Sequence, residues 1–164
     1  MNIKTLLFSM LALITCLLSG CNEDATKDDS MLSQEILGSW TLSFQSDNTS
    51  NSMHYTFKDK TFTYATYATK MDDPTIKSLT INGTWRIYKG VLELTYDLQS
   101  LNTDGYDAQE TKNIYDGFYN ENLLVNDMKN SSSPYGKTVT FSQSGNVQTM
   151  RLSSISGSFV RTSY

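Results

Sequence analysis

Few residues in this chain are of types that do chemistry. A hydrolytic site needs a nucleophile, a base and an orienting group, and the base is usually a histidine. The only histidine is His54. It sits in Met53-His54-Tyr55-Thr56-Phe57, where Met53, Tyr55 and Phe57 point the opposite way along an extended chain, so His54 reads as a solvent-facing strand residue. Two converging carboxylates could do acid-base work instead. Glu93, however, alternates away from Leu92 and Leu94, and most other acids fall in loop-like stretches. Ser100, Asn102, Asp104 and Gly105 match positions 1, 3, 5 and 6 of a calcium loop, but position 12 falls on Thr111 where a bidentate Glu is required. Asp104-Gly105 therefore reads as a turn. A structural zinc would lack its thiol and imidazole set. The expectation is no catalytic set, no metal and no cofactor. Aromatic residues, by contrast, are plentiful, with ten tyrosines and seven phenylalanines. Phe44, Tyr55, Phe57, Phe62, Tyr64 and Tyr96 alternate so as to face one interior. There they either line a cavity for a small hydrophobic molecule or fill a small barrel with their own bulk.

The elements carrying these aromatics are strands. In Gly38-Ser39-Trp40-Thr41-Leu42-Ser43-Phe44 the apolar residues share one face and the hydroxyls the other. The same alternation runs through Met53–Phe57, turns at Lys58-Asp59-Lys60, and continues through Thr61–Thr69. After the loop Met71-Asp72-Asp73-Pro74, a long strand places Leu79, Ile81, Gly83, Trp85 and Ile87 on one face, and Lys89-Gly90 turns the chain into Val91–Tyr96. Residues 97–112 read as the longest loop of the domain. Weaker strand signals follow at Ile114-Tyr115, Phe118-Tyr119 and Asn122–Val125, then turn chemistry from Lys129 to Gly136. Lys137–Ser142, Val147–Ser153 and Gly157–Thr162 supply the last strands, and no helical stripe exceeds two turns. The pattern predicts an all-β antiparallel up-and-down barrel of about 8–10 strands, with a sandwich of the same strands as the alternative.

Composition agrees with one folded domain: 38% of residues are apolar and 18% charged, which excludes disorder throughout. The formal net charge of −4 disfavours nucleic acid as a partner, because phosphate binding needs a basic face. At the N-terminus, Lys4 precedes the apolar run Leu6–Leu18, which is shorter than the roughly 20 residues a membrane-spanning helix needs. Leu18-Ser19-Gly20-Cys21 resembles the lipobox of bacterial lipoproteins. That resemblance implies a signal peptide over residues 1–20 and acylation of Cys21, whose thiol has no other partner once Cys16 is removed with the leader. Each buried methylene adds about 0.8 kcal/mol of membrane affinity, so a multiply acylated cysteine would tether the chain to a lipid bilayer stably. Residues 21–34 are then expected to be a flexible acidic tether, leaving residues 35–164 as the folded domain. Short acidic stretches such as Asn22-Glu23-Asp24 resemble signals that send some bacterial lipoproteins to the outer face of the outer membrane. A plain solvated spacer is the other reading, so outer-membrane placement is expected with its face open.

Gly38-Ser39-Trp40 resembles the G-x-W signature of lipocalin-like (calycin) barrels, and Gly83-Thr84-Trp85 repeats it. In that family the tryptophan closes one barrel end beneath a basic side chain from the last strand. The resemblance implies this role for Trp40, Trp85 and Arg161. It covers most of the chain from about Ile36, while departing from lipocalins proper at Thr103-Asp104-Gly105-Tyr106, which has an extra glycine. Two functions follow as expectations. One is a non-enzymatic, membrane-anchored lipocalin-like lipoprotein that binds a small hydrophobic ligand in its barrel. The other is an envelope or surface interaction or structural module with a filled barrel, acting on an unspecified protein partner through its long loops.

Overall fold

The computed structural model describes residues 28–73 and 75–163. The expected signal peptide, the acylated Cys21 and most of the acidic tether lie outside the described residues. Eight strands run in chain order, β1 (Gly38–Ser46), β2 (Thr49–Lys58), β3 (Thr61–Lys70), β4 (Ile76–Tyr88), β5 (Val91–Asp104), β6 (Lys137–Ser144), β7 (Val147–Leu152) and β8 (Phe159–Ser163). Each pairs antiparallel with the next, and β8 pairs back with β1, which closes the barrel. Closure of the ladder removes the exposed edges an open sheet would present.

The alternation of β1 to β5 follows from side-chain chemistry. Serines and threonines face outward, and large apolar residues face a shared core of Trp40, Leu42, Tyr55, Phe57, Phe62, Ile81, Trp85, Leu92, Leu94 and Tyr96. Lys89 and Gly90 both take positive φ (53° and 73°), which gives the hairpin turn whose twist matches that of the flanking strands. Gly83 lies opposite Phe62 on one side and Tyr96 on the other. A methyl group there would sit 2.3 Å from the Thr95 carbonyl oxygen and 2.5 Å from the Phe62 ring.

The order of elements differs from the sequence expectation in two places. Residues 29–34, expected within the flexible tether, are helical, as part of helix α1 (Asp29–Glu35), which packs on the barrel. Asp28 caps it by accepting the Met31 amide at 2.8 Å, and the Asp29 carboxylate accepts the Lys89 and Gly90 amides at 2.7 Å each. Leu32 and Ile36, four residues apart, are buried beneath it. The second difference is larger. The expected loop over residues 97–112 is strand as far as Asp104, and the weak strand signals beyond it belong to a twenty-residue helix, α2 (Ala108–Asp127). A capping box starts α2: Asp107 accepts the Glu110 amide at 2.7 Å, and Glu110 accepts the Asp107 amide at 3.0 Å. Ser100, Asn102 and Asp104, which match a calcium loop, are consequently drawn out along β5, with Asn102 paired to Thr80, Gly105 just past the strand and Thr111 on α2.

Helix α2 covers the side of β5 that β6 leaves free. β5 and β6 share only two residue pairs, Val91 with Thr138 and Leu92 with Lys137, whereas β4 accompanies β5 as far as Asp104. At Tyr96 the Asn122 side chain takes the place of a strand, accepting the backbone amide at 2.7 Å and donating to the backbone carbonyl at 2.8 Å.

The Gly83 contacts give a direct test of this packing. Gly83→Ala should lower stability by about 1–3 kcal/mol, the usual cost of overpacking a core, with the ligand-free fold retained. Urea unfolding checks it, and an unchanged midpoint would contradict the close approach.

Candidate functional site

Five of the six aromatics expected to face one interior do so. Tyr55, Phe57, Phe62 and Tyr96 are buried, and Tyr64 is half-buried against the same cluster. Cross-strand register brings them together: Tyr55 lies opposite Tyr64, and Phe57 opposite Phe62. The Tyr55 ring stacks on Tyr64 at 4.6 Å and on Phe57 at 5.5 Å, and Phe62 meets Tyr96 edge-on at 5.4 Å across Gly83. The sixth, Phe44, does not join them. It is 42% exposed near the β1–β2 turn, because alternation near a strand end no longer decides what lies above the residue.

These rings are packed on one another rather than arranged around a space. Their last neighbour comes from outside the sheet, as Phe118 of α2 approaches Tyr96 to 4.5 Å and Tyr64 to 6.4 Å. One turn further along, Glu121 reaches the same hydroxyls. The Tyr55 and Tyr96 hydroxyls neighbour each other, and Tyr96 neighbours Glu121. Burial, followed by its tyrosine neighbours and the Glu121 carboxylate, holds the Tyr55 hydroxyl well above its ordinary range. Burial and then Glu121 raise Tyr96 in the same way, and push Tyr64 up to about 12. Lys137 of β6 stands 3.8 Å from Glu121 on its other side, a loose ion pair. The arrangement is therefore an apolar aromatic interior with one polar corner, at the place where strand pairing gives way to helix. Sequence reasoning missed Phe118, Glu121 and Asn122 because it read their segment as strand and loop. The Asp107-x-x-Glu110 capping box was the signal that could have found them.

At the opposite end, the guanidinium of Arg161 lies 4.3 Å from the centre of the Trp40 ring. It donates to the backbone carbonyl of Leu37 at 2.6 Å and to that of Glu35, while the Trp40 indole donates to Ile36 at 2.7 Å. Trp85 packs edge-on against Phe57 and donates to the Thr61 carbonyl at 3.1 Å. These side chains seal the end of the barrel that α1 covers.

Two other features lie outside the interior. His54 is on the outer face, hydrogen-bonded to Thr41 at 2.9 Å and Ser52 at 3.1 Å. A groove of about 670 Å³ runs over Thr61, Thr63, Asn82, Thr84 and Thr95, also on the outward rows of the strands. Its Thr63 hydroxyl is already bonded to Asn82 at 2.8 Å, and Phe62, Gly83 and Tyr96 also line it, so it adjoins the strand segment that carries the aromatic cluster. Glu93 alternates away from Leu92 and Leu94 as expected, but on that outward side it is buried under the end of α2 and paired with Arg86.

The shifted tyrosines set an alkaline limit on stability. An unfolded tyrosine ionises near pH 10, whereas Tyr64 stays neutral in the fold up to about 12. Between those values the unfolded chain binds fewer protons than the native one. The contribution is therefore complete below about pH 10 and is lost as pH rises through 12. A tyrosinate absorbance titration should resolve a late-ionising class that merges with the rest in urea. A single class near pH 10 in the native protein would contradict the buried cluster.

A family model described as a lipocalin-like domain matches residues 36–126, from Ile36 through β1–β5 and nearly all of α2. No curated protein and no solved structure gives a significant match.

Proposed function

The chain belongs to the lipocalin-like domain family, and from that premise we propose that it is the non-enzymatic binding domain of a lipid-anchored bacterial envelope lipoprotein, taking a small hydrophobic molecule into its barrel. The observation that carries this reading is the origin of the innermost rings. Tyr55, Phe57, Phe62, Tyr64 and Tyr96 belong to the barrel wall, whereas the ring completing their packing, Phe118, belongs to a helix laid against the wall's weakest seam. A side chain that fills an interior from outside the sheet occupies space a ligand of similar size and polarity can use. The lone histidine, held on the outer face by Thr41 and Ser52, contributes nothing to that interior. Anchoring rests on Leu18-Ser19-Gly20-Cys21, with acylated Cys21 in the bilayer and a short acidic tether before α1. Outer-membrane placement is part of the same proposal.

A second reading has its own support. The mutual stacking of Tyr55, Phe57 and Tyr64 describes a filled barrel, as an interaction or structural module would have. Its partner would be met by exposed segments such as residues 129–136, because residues 97–112 are not a loop.

Native mass spectrometry of the full chain, purified gently in detergent from its own host, separates the two. A stoichiometric small-molecule adduct released on denaturation is expected. An unliganded mass that persists after incubation with lipids would move the assignment to the filled module. The same spectrum should show an acylated Cys21, and Cys21→Ser should shift the protein from the membrane to the soluble fraction. Unchanged membrane partitioning of that variant would refute the anchor.

A further inference from the structure

We infer that α2 is a door in the barrel wall, and that the space filled by its Phe118 ring is a binding site for a small aromatic molecule carrying a hydrogen-bond donor, which enters between β5 and β6 and presents that donor to Glu121. The inference rests on the binding reading above and specifies its site, its route and its ligand chemistry.

The route follows from the hydrogen bonding. Neighbouring strands elsewhere along β5 are joined by a ladder, as with β4, but on the β6 side the ladder stops after Leu92. Beyond that point α2 is attached through side chains. Asn122 bonds to the Tyr96 backbone, Thr111 meets Thr103 at 3.2 Å, Glu110 holds Lys77 at 2.6 and 2.7 Å, and Glu121 faces Lys137 at 3.8 Å. Among the helix's residues only Val125 is buried. Such attachments can open without breaking any strand pairing, which places α2 at the low-stability end of the fold.

The ligand chemistry follows from what Phe118 touches. Its ring lies 4.5 Å from Tyr96 and meets Tyr64 edge-on at 6.4 Å, so the place it fills suits another aromatic ring. Glu121, one turn after Phe118 on the same helix and 3.8 Å from Lys137, is a carboxylate with acceptor oxygens to spare and a side chain 35% exposed. A phenol or aromatic amine satisfies both features, whereas a plain hydrocarbon satisfies only the first.

The test uses the full chain and two probes, 1-naphthol and naphthalene, followed by calorimetry. Phe118→Ala should bind 1-naphthol at least tenfold more tightly than the natural chain, and Glu121→Ala should abolish the preference for 1-naphthol over naphthalene. A Thr103→Cys/Thr111→Cys pair, whose parent hydroxyls are in contact, should lose binding when oxidised and regain it when reduced, which tests the door with Phe118 intact. Equal affinity of the natural chain and Phe118→Ala would overturn the site, and equal affinity of the oxidised and reduced pair would overturn the door. Because the probes are added in vitro, naphthol binding by a chain that leaves its host empty would count against the host-ligand reading alone. A host molecule that exchanges freely from the oxidised pair would count against the door alone.

Discussion

Every strand in a barrel has two edges, and each backbone amide and carbonyl along them needs a partner. β5 is where this requirement is hardest to meet. It runs from Val91 to Asp104, but β6 starts at Lys137 and engages only its first two residues. The position of α2 follows from that shortfall. Asn122 completes the hydrogen bonding of Tyr96 with a primary amide, which carries the same donor and acceptor as a peptide group. With the helix held at that point, its turns before and after Asn122 are fixed in depth. Phe118 then falls on the tyrosine rings and Val125 falls over β5, while Glu121 falls between Tyr96 and Lys137.

The other end of the barrel is built differently. Arg161, near the end of the described chain, reaches back to the carbonyls of Glu35 and Leu37 and covers the Trp40 indole. Asp29 ties the start of α1 to the β4–β5 turn through two backbone amides. These are charge-assisted bonds to main-chain groups, stronger than neutral ones, and they bring α1, β1, β4, β5 and β8 to one place. Glu93 and Arg86 form a second anchor under the end of α2. Only the Glu93 carboxylate is buried, Arg86 being 38% exposed, so removing Arg86 would leave a buried charge uncompensated, whereas removing Glu93 would leave a guanidinium that water can reach. Charge is thus used to fix how helices sit on the barrel, and apolar packing supplies the cohesion within it.

How much of this could be read from the sequence depends on whether a residue's neighbours were decided locally. The strands from Gly38 to Tyr96 were legible because inward rings alternate with outward hydroxyls, and the Lys89-Gly90 turn was legible because two residues with positive φ suffice to make it. Trp40, Trp85 and Arg161 could be singled out by their motifs and positions. α2 could not be recognised by its periodicity. Its inward row mixes Thr111, Ile114, Phe118, Glu121, Asn122 and Val125, so polar residues stand where a helix usually shows an apolar stripe. Those polar positions answer to the backbone of β5 and the hydroxyl of Tyr96, which are distant in sequence. Isoleucine, tyrosine and phenylalanine in the same segment favour strand by propensity, and tertiary contacts override that preference. α1 was overlooked for a related reason, since a single apolar pair, Leu32 and Ile36, sits at the end of an acidic run.

The same contrast separates what fixes the wall rings from what fixes Phe118. The rings of Tyr55, Phe57, Phe62, Tyr64 and Tyr96 are set by strand register, and moving one of them outward would shift a whole strand's side chains to the wrong face. Phe118 is under no such constraint. Its position depends on a helix whose bonds to the barrel are made by individual side chains, each independently breakable. A packed interior is therefore compatible with the proposed binding role. The wall residues give the interior its shape and its hydroxyl corner, and the helix supplies an occupant, Phe118, whose departure would leave the ladder between strands whole.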